Sequence, residues 1–204
     1  MKILHVDSSI LGSQSVSRKI SAASVQRLLS IAPGATVVYR DLAVNPVPQF
    51  SPEVVLGAAG AGETLSSNPD LVALQDVLGE VLDADIIVIG APMYNFSIPS
   101  QLKSWLDAIV VPGKTFRYSA TGVDGLLGGK RVIVASARGG VYEPESPAAG
   151  AEHQESLLQS LLGFLGIRDI EIVRAEGVRM GQEQAATAIA SALARAGRLE
   201  VNCP

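Results

Sequence analysis

The chain has 204 residues, 48% of them hydrophobic and 18% charged, which suits one domain with a sizeable core and excludes a disordered chain. A formal net charge of −4 with no Lys/Arg cluster gives no general attraction for nucleic acid or an anionic membrane. The single cysteine, Cys203, excludes a disulfide framework and a cysteine-based zinc site within one chain.

The first strand is read at Ile3-Leu4-His5-Val6. No leader pattern precedes it and no apolar stretch is long enough to span a bilayer, so the expectation is a soluble, cytoplasmic protein with no membrane partner. His5 lies inside this strand and reads as a hydrogen-bonded core residue rather than a base. Asp7 ends the strand and reads as a cap, or as the residue that orients the loop after it. From Asp7 to Ser17 the chain carries five serines in eleven residues, just ahead of a helix. Serine is an ordinary capping and turn residue. A helix N-terminus lined with hydroxyls also binds phosphate through free N–H groups and the positive dipole end. Neither a Walker sequence nor G-x-G-x-x-G is present, which disfavours ATP hydrolysis and a standard dinucleotide site.

In the helix that follows, Val16, Ile20, Ala23 and Ile31 share a stripe, while Val25 and Leu29 fall off it. A second strand is read at Thr36-Val37-Val38-Tyr39. Residues 44–69, rich in Pro, Gly, Ala and Ser, read as an excursion with a short helix. The third strand, Ile86-Ile87-Val88-Ile89, is an unbroken apolar run, the pattern of a strand buried on both faces. After it comes Ala91-Pro92-Met93-Tyr94-Asn95-Phe96-Ser97-Ile98-Pro99, two aromatics in one loop of a chain that is only 4% aromatic. They suit a pocket for a flat ligand, and equally a place in the core. Pro99 fits the first turn of a helix, and Leu102, Trp105, Leu106 and Ile109 carry that helix's apolar face.

Residues 112–130 hold Thr115-Phe116-Arg117-Tyr118 among Gly113, Gly122, Gly125, Gly128 and Gly129, the pattern of a short β-hairpin. The fourth main strand, Val132-Ile133-Val134, leads to Ser136-Ala137-Arg138-Gly139-Gly140-Val141-Tyr142. There the glycines allow close backbone approach to a ligand. The bland reading is a Gly-Gly turn. Glu143 and Glu145 fall in a Pro-rich loop, and His153 reads as solvated polarity ahead of a helix. Leu158, Leu161, Leu162 and Leu165 mark that helix. Ile170-Glu171-Ile172-Val173 is the last strand, and Ala185, Ile189, Ala192 and Ala196 form a slim final stripe.

Strands alternating with helices predict an α/β three-layer sandwich, a flavodoxin-like five-stranded parallel sheet in the order 2-1-3-4-5, as one domain over 1–204. In such a sheet ligands bind at the carboxyl ends of strands. Three unusual loops share that edge. Phosphate at the serine loop and a planar ring between the other two is the arrangement a flavin mononucleotide needs.

Met93-Tyr94-Asn95-Phe96, Thr115-Phe116-Arg117-Tyr118, Ala137-Arg138-Gly139-Gly140 and Leu162-Gly163-Phe164-Leu165-Gly166, with the serine loop and Arg40-Asp41-Leu42, resemble the FMN-dependent NADH-azoreductases, also described as NADH:quinone oxidoreductases. The likeness runs from Ile3 to about Ala196. It implies a homodimer with one FMN per subunit at the interface, NADH as co-substrate, and quinones and azo compounds as acceptors in two-electron ping-pong hydride transfer. It implies that Ser9, Ser15, Val16 and Ser17 bind the phosphate and ribityl end, and that Met93, Tyr94, Asn95 and Phe96 meet the ring. Ala137, Arg138, Gly139 and Gly140 approach the pyrimidine edge. Phe96, Tyr118 and Phe164 line the pocket for nicotinamide and acceptor, some of them from the neighbouring subunit. No acid–base residue and no metal are implied. Family members often have Ser where this chain has Ala137, and Glu143 to Gly150 is variable ground. Two other readings stand beside this one. One is a flavodoxin-type electron carrier without its own substrate. The other is a hydrolase using Asp7, His5 or His153.

Overall fold

A computed structural model describes residues 1–49, 51 and 68–201. Five parallel strands form the main sheet: β1 (Lys2–Asp7), β2 (Thr36–Asp41), β3 (Ile86–Pro92), β6 (Arg131–Ala137) and β7 (Asp169–Ala175), in the order β2-β1-β3-β6-β7. Between β3 and β6 the chain makes an antiparallel hairpin, β4 (Phe116–Ser119) and β5 (Gly122–Gly125). With the hairpin set aside, the order is the predicted 2-1-3-4-5. The main helices are α1 (Val16–Ile31), α2 (Pro69–Asp83), α3 (Ser100–Ile109), α4 (Glu155–Phe164) and α5 (Gln182–Ala196).

Strand alternation divides the apolar side chains into two cores. Leu4, Val6, Ile87, Ile89, Val132 and Val134 face one side and pack with α2, α3 and α4. Ile3, Ile86, Val88, Ile133, Ala135 and Val173 face the other and pack with α1 and α5. β3 and β6 are buried along their whole length because both faces are covered. β2 is different. It is an edge strand, with Val37, Val38 and Tyr39 exposed, although they form an apolar run of their own.

Helix starts follow local chemistry. Ser15 caps α1, its Oγ accepting from the Arg18 N–H at 3.2 Å. Asn68 caps α2 in the same way through the Asp70 N–H, with Pro69 just inside the helix. In α1 the buried apolar side chains are Ile20, Val25 and Leu28. This corrects the sequence stripe, which left Val25 out; the helix also packs on α5, and the wider contact draws Val25 in. The excursion expected over 44–69, with its short helix, lies largely outside the described residues.

The hairpin is pinned at its base by close backbone contact. A Cβ on Gly125 would lie 2.1 Å from the Gly166 nitrogen, and one on Gly166 would lie 2.8 Å from the Gly125 oxygen. Leu127 N–H donates to the Leu165 carbonyl beside this contact. The hairpin is thereby fixed against the end of α4.

Candidate functional site

Three loops leave the carboxyl ends of β1, β3 and β6, which are neighbours in the sheet. In the first, Ser8 Oγ donates to the Gly90 carbonyl at 2.7 Å and ties the loop to β3. Ser9, Ser15 and Ser17 are buried. Ser15 and Ser17 hydroxyls lie 3.1 Å apart at the start of α1. Among the described residues no acceptor meets the N–H groups of Val16 and Ser17. They are the open donors of a helix N-terminus, flanked by hydroxyls.

Behind this loop lies a buried polar cluster. Asp7 accepts from the Ser21 hydroxyl at 2.8 Å and from the Tyr39 phenol at 3.2 Å, with His5 Nε2 at 3.4 Å. Burial pushes the Asp7 carboxyl up, but hydrogen bonds to His5 and Ser21 and the nearby Arg18 charge outweigh it and hold the group below its ordinary value. Burial, aided by the Asp7 charge, pushes Tyr39 up to about 12. Arg18 makes a forked pair with Asp41, at 2.6 and 2.7 Å, and two bonds to the Ser9 carbonyl, at 2.8 and 3.1 Å. The Ser21–His5–Asp7 set has the residue types of a hydrolytic triad in a different arrangement. The serine hydroxyl bridges the other two groups and is fully buried, so it faces no substrate.

The second loop makes a tight turn. Tyr94 N–H donates to the Ser97 carbonyl at 2.8 Å, and Ser97 N–H returns the bond at 3.1 Å. Between them Asn95 has φ 49° and Phe96 has φ 72°. Positive φ is tolerated by Asn but is an outlier for Phe. Such strain persists where surrounding structure enforces it, and it clusters at functional sites. Here the turn is held from outside: His153 N–H donates to the Phe96 carbonyl and Ser97 Oγ donates to the His153 carbonyl. Phe96 is half exposed, and the N–H groups of Asn95 and Phe96 have no acceptor among the described residues. The Tyr94 phenol reaches back to the first loop.

In the third loop the carbonyls of Arg138, Gly139 and Gly140 accept from Val178, Arg179 and Gly177. The N–H groups of Gly139 and Gly140 have no acceptor among the described residues. The Arg138 side chain turns inward, only 2% exposed, to Glu152, Glu155, Glu176 and Gln154. Gln154 is itself buried and donates to the Ala91 carbonyl, so this network joins the third loop to the end of β3. Glu152 also accepts from the N–H groups of Gln154, Glu155 and Ser156. Burial pushes its carboxyl up, but these three bonds and Arg138 hold it below its ordinary value.

The pocket aromatics form two groups. Phe116 packs against Tyr118, ring centroids 5.5 Å apart, and against Phe164 at 4.9 Å. Phe96 instead meets Tyr142 edge-on at 6.4 Å. Tyr142 was not singled out by sequence; its position two residues past Gly140 was the available signal. The partners of Arg138 were also missed, because they come from the segment that runs into the start of α4 and from the residue just past β7.

A family described by its flavodoxin-like fold matches residues 1–199. The chain is 50% identical over 200 residues to FMN-dependent NADH:quinone oxidoreductase 2 of Bradyrhizobium diazoefficiens, covering 98% of this chain and 99% of that one. It is 52% identical over 201 residues to the FMN-dependent NADH:quinone oxidoreductase of Methylorubrum extorquens, with 98% and 99% covered. Among solved structures, an azoreductase from Bacillus anthracis str. Sterne superposes with TM-score 0.86 at 32% identity over 97% of each chain. An FMN-dependent NADH-azoreductase from Bacillus anthracis str. Ames Ancestor, in complex with FMN, superposes with TM-score 0.84 at 29% identity over 97% of this chain and 98% of that one.

Proposed function

The chain belongs to the flavodoxin-like family of FMN-dependent NADH:quinone oxidoreductases, and from that premise we propose that the loops after β1, β3 and β6 together hold its FMN. The protein is an FMN-dependent oxidoreductase that uses NADH to reduce quinones and azo compounds. When bound, the flavin supplies the two-electron hydride chemistry.

The donor set fits that group. The hydroxyls of Ser9, Ser15 and Ser17 and the free N–H groups of Val16 and Ser17 suit a phosphate. The free N–H groups of Asn95, Phe96, Gly139 and Gly140 suit the carbonyl and nitrogen rim of a flavin ring. This array of unmatched donors along one sheet edge is the observation that carries the proposal. Met93 and Tyr94 complete the side facing β3. Ala137 and Arg138 frame the third loop, their backbone groups bonded to Met93, Ala175 and Val178, and the Arg138 side chain holds the loop in place.

Phe96, Tyr118 and Phe164 form the acceptor slot in this reading. Within one chain Phe96 belongs to a different aromatic group from the other two, and all three are exposed. A homodimer resolves this by laying one subunit's aromatics over the other's flavin loops. Their rings exclude water from the reacting face and orient planar acceptors by stacking. Among the described residues no helix is long and apolar enough to cross a membrane. A cytoplasmic location completes the proposal, since NADH is required. Anaerobic mixing of the FMN-loaded protein with NADH tests it: rapid bleaching of the flavin band, reversed by a benzoquinone, is expected, and an unchanged spectrum contradicts it.

A further inference from the structure

We infer that Arg18 is the positioning residue of the phosphate end of this site and not a phosphate ligand. It sits in the first turn of α1, where a cation would ordinarily be assigned to the phosphate. A guanidinium has five N–H donors, and every one of them has a partner here. Nε donates to the Ser9 carbonyl at 3.1 Å. Nη2 donates to the Ser9 carbonyl at 2.8 Å and to Asp41 Oδ1 at 2.7 Å. Nη1 donates to Asp41 Oδ2 at 2.6 Å and to the Tyr39 phenol at 2.9 Å. Asp41 is fixed in turn by the N–H groups of Ala43 and Val44, and Asp7 Oδ2 lies 3.8 Å from Nη1. The charge is answered and no donor remains for an incoming phosphate.

What the side chain does is hold a peptide plane. The Ser9 carbonyl and the Ile10 N–H belong to one planar trans unit and point in opposite directions. Arg18 grips the carbonyl from the α1 side. The Tyr94 phenol accepts from the Ile10 N–H at 3.2 Å from the β3 side. The unit is clamped between them, and the Ser9 hydroxyl is set beside Tyr94, 3.3 Å away. The phosphate cradle that results is built of neutral hydroxyls and backbone N–H groups, held in shape by a cation whose charge is matched elsewhere.

This inference rests on the reading of the serine loop as the phosphate end. The experiment compares dissociation constants of FMN and riboflavin, which share the ring and differ by the phosphate, by flavin fluorescence quenching on the apoprotein. The wild type is expected to prefer FMN; no preference would defeat the serine-loop reading itself. Arg18→Met is expected to weaken FMN about thirtyfold and leave riboflavin unchanged, and Arg18→Lys to behave like Met, because a point charge cannot replace the fork. An unchanged FMN-to-riboflavin ratio in Arg18→Met, or full recovery in Arg18→Lys, overturns the inference. Asp41→Asn keeps Arg18, breaks one arm of the fork and removes the charge that matches it, so it serves if the Arg18 variants fold poorly. A positioning role predicts weaker FMN binding in that variant with riboflavin unchanged, and tighter or unaltered FMN binding overturns it.

Discussion

The Tyr94 phenol accepts a hydrogen bond from the Ile10 backbone N–H at 3.2 Å, joining the loop after β3 to the loop after β1. Two segments 84 residues apart in sequence are thereby held in one geometry. Tyr94→Phe removes the acceptor and keeps the ring. Flavin titration of the apoprotein should show FMN affinity falling about five- to tenfold, with the circular dichroism spectrum unchanged.

Phe96 sits at φ 72° in the turn that it shares with Asn95. Phe96→Gly relieves that strain and leaves an Asn-Gly pair, the favoured sequence for two consecutive positive φ values. The apoprotein should gain roughly 0.5–1 kcal/mol in urea unfolding. Quinone reduction should fall, because the stacking ring is gone. Better folding with poorer turnover is the signature expected of strain kept for function.

Gly125 touches the Gly166 backbone too closely for any side chain. Gly125→Ala should force the hairpin off the end of α4 and cost about 2 kcal/mol or more in denaturant unfolding. Acceptor kinetics should change with it, since Tyr118 rides on that hairpin and Phe164 ends α4. Tyr118→Ala leaves the hairpin base alone. It should mainly alter preference among quinones of different size, read as kcat/KM over a series.

Glu152 carries an acid-side stability term. Its folded-state value lies below the ordinary 4.5, so ionised Glu152 stabilises the fold above that range. The contribution disappears as pH falls through the lowered value, when the carboxyl protonates and its bonds to Arg138 and the α4 N-terminus weaken. Urea unfolding of wild type and Glu152→Gln at pH 7 and below about pH 4 checks the sign. The difference between them should be largest at pH 7 and shrink in acid.

Much of the fold was legible because β1, β3, β6 and β7 carry apolar runs bounded by turn residues, and for the central strands β1, β3 and β6 burial on both faces leaves little else for such runs to be. β2 carries the same signal for a different reason. Its apolar side chains lie on an exposed edge, and strand propensity does not distinguish an edge from a centre. The helix at 69–83 was not read, although Asn68 and Pro69 mark its start and Leu74, Val77, Leu78 and Val81 follow the helical period. The cap stands at the end of a Pro/Gly/Ala/Ser-rich stretch, whose turn-forming composition masks a single Asn-Pro start signal. The site's loops were found from composition, but not how they are held. The strain at Phe96 has no sequence mark, since nothing in the residue type announces a positive φ. The Arg138 and Arg18 networks join groups whose nearness is created only by the folded sheet.

Amide hydrogen exchange of the apoprotein with and without saturating FMN tests the central claim most directly. The account predicts that added protection appears together in three segments, around residues 9–17, 93–97 and 137–142, with the pocket aromatics' segments following only in a dimer. Protection confined to one of those segments, or appearing at another face of the sheet, would contradict it.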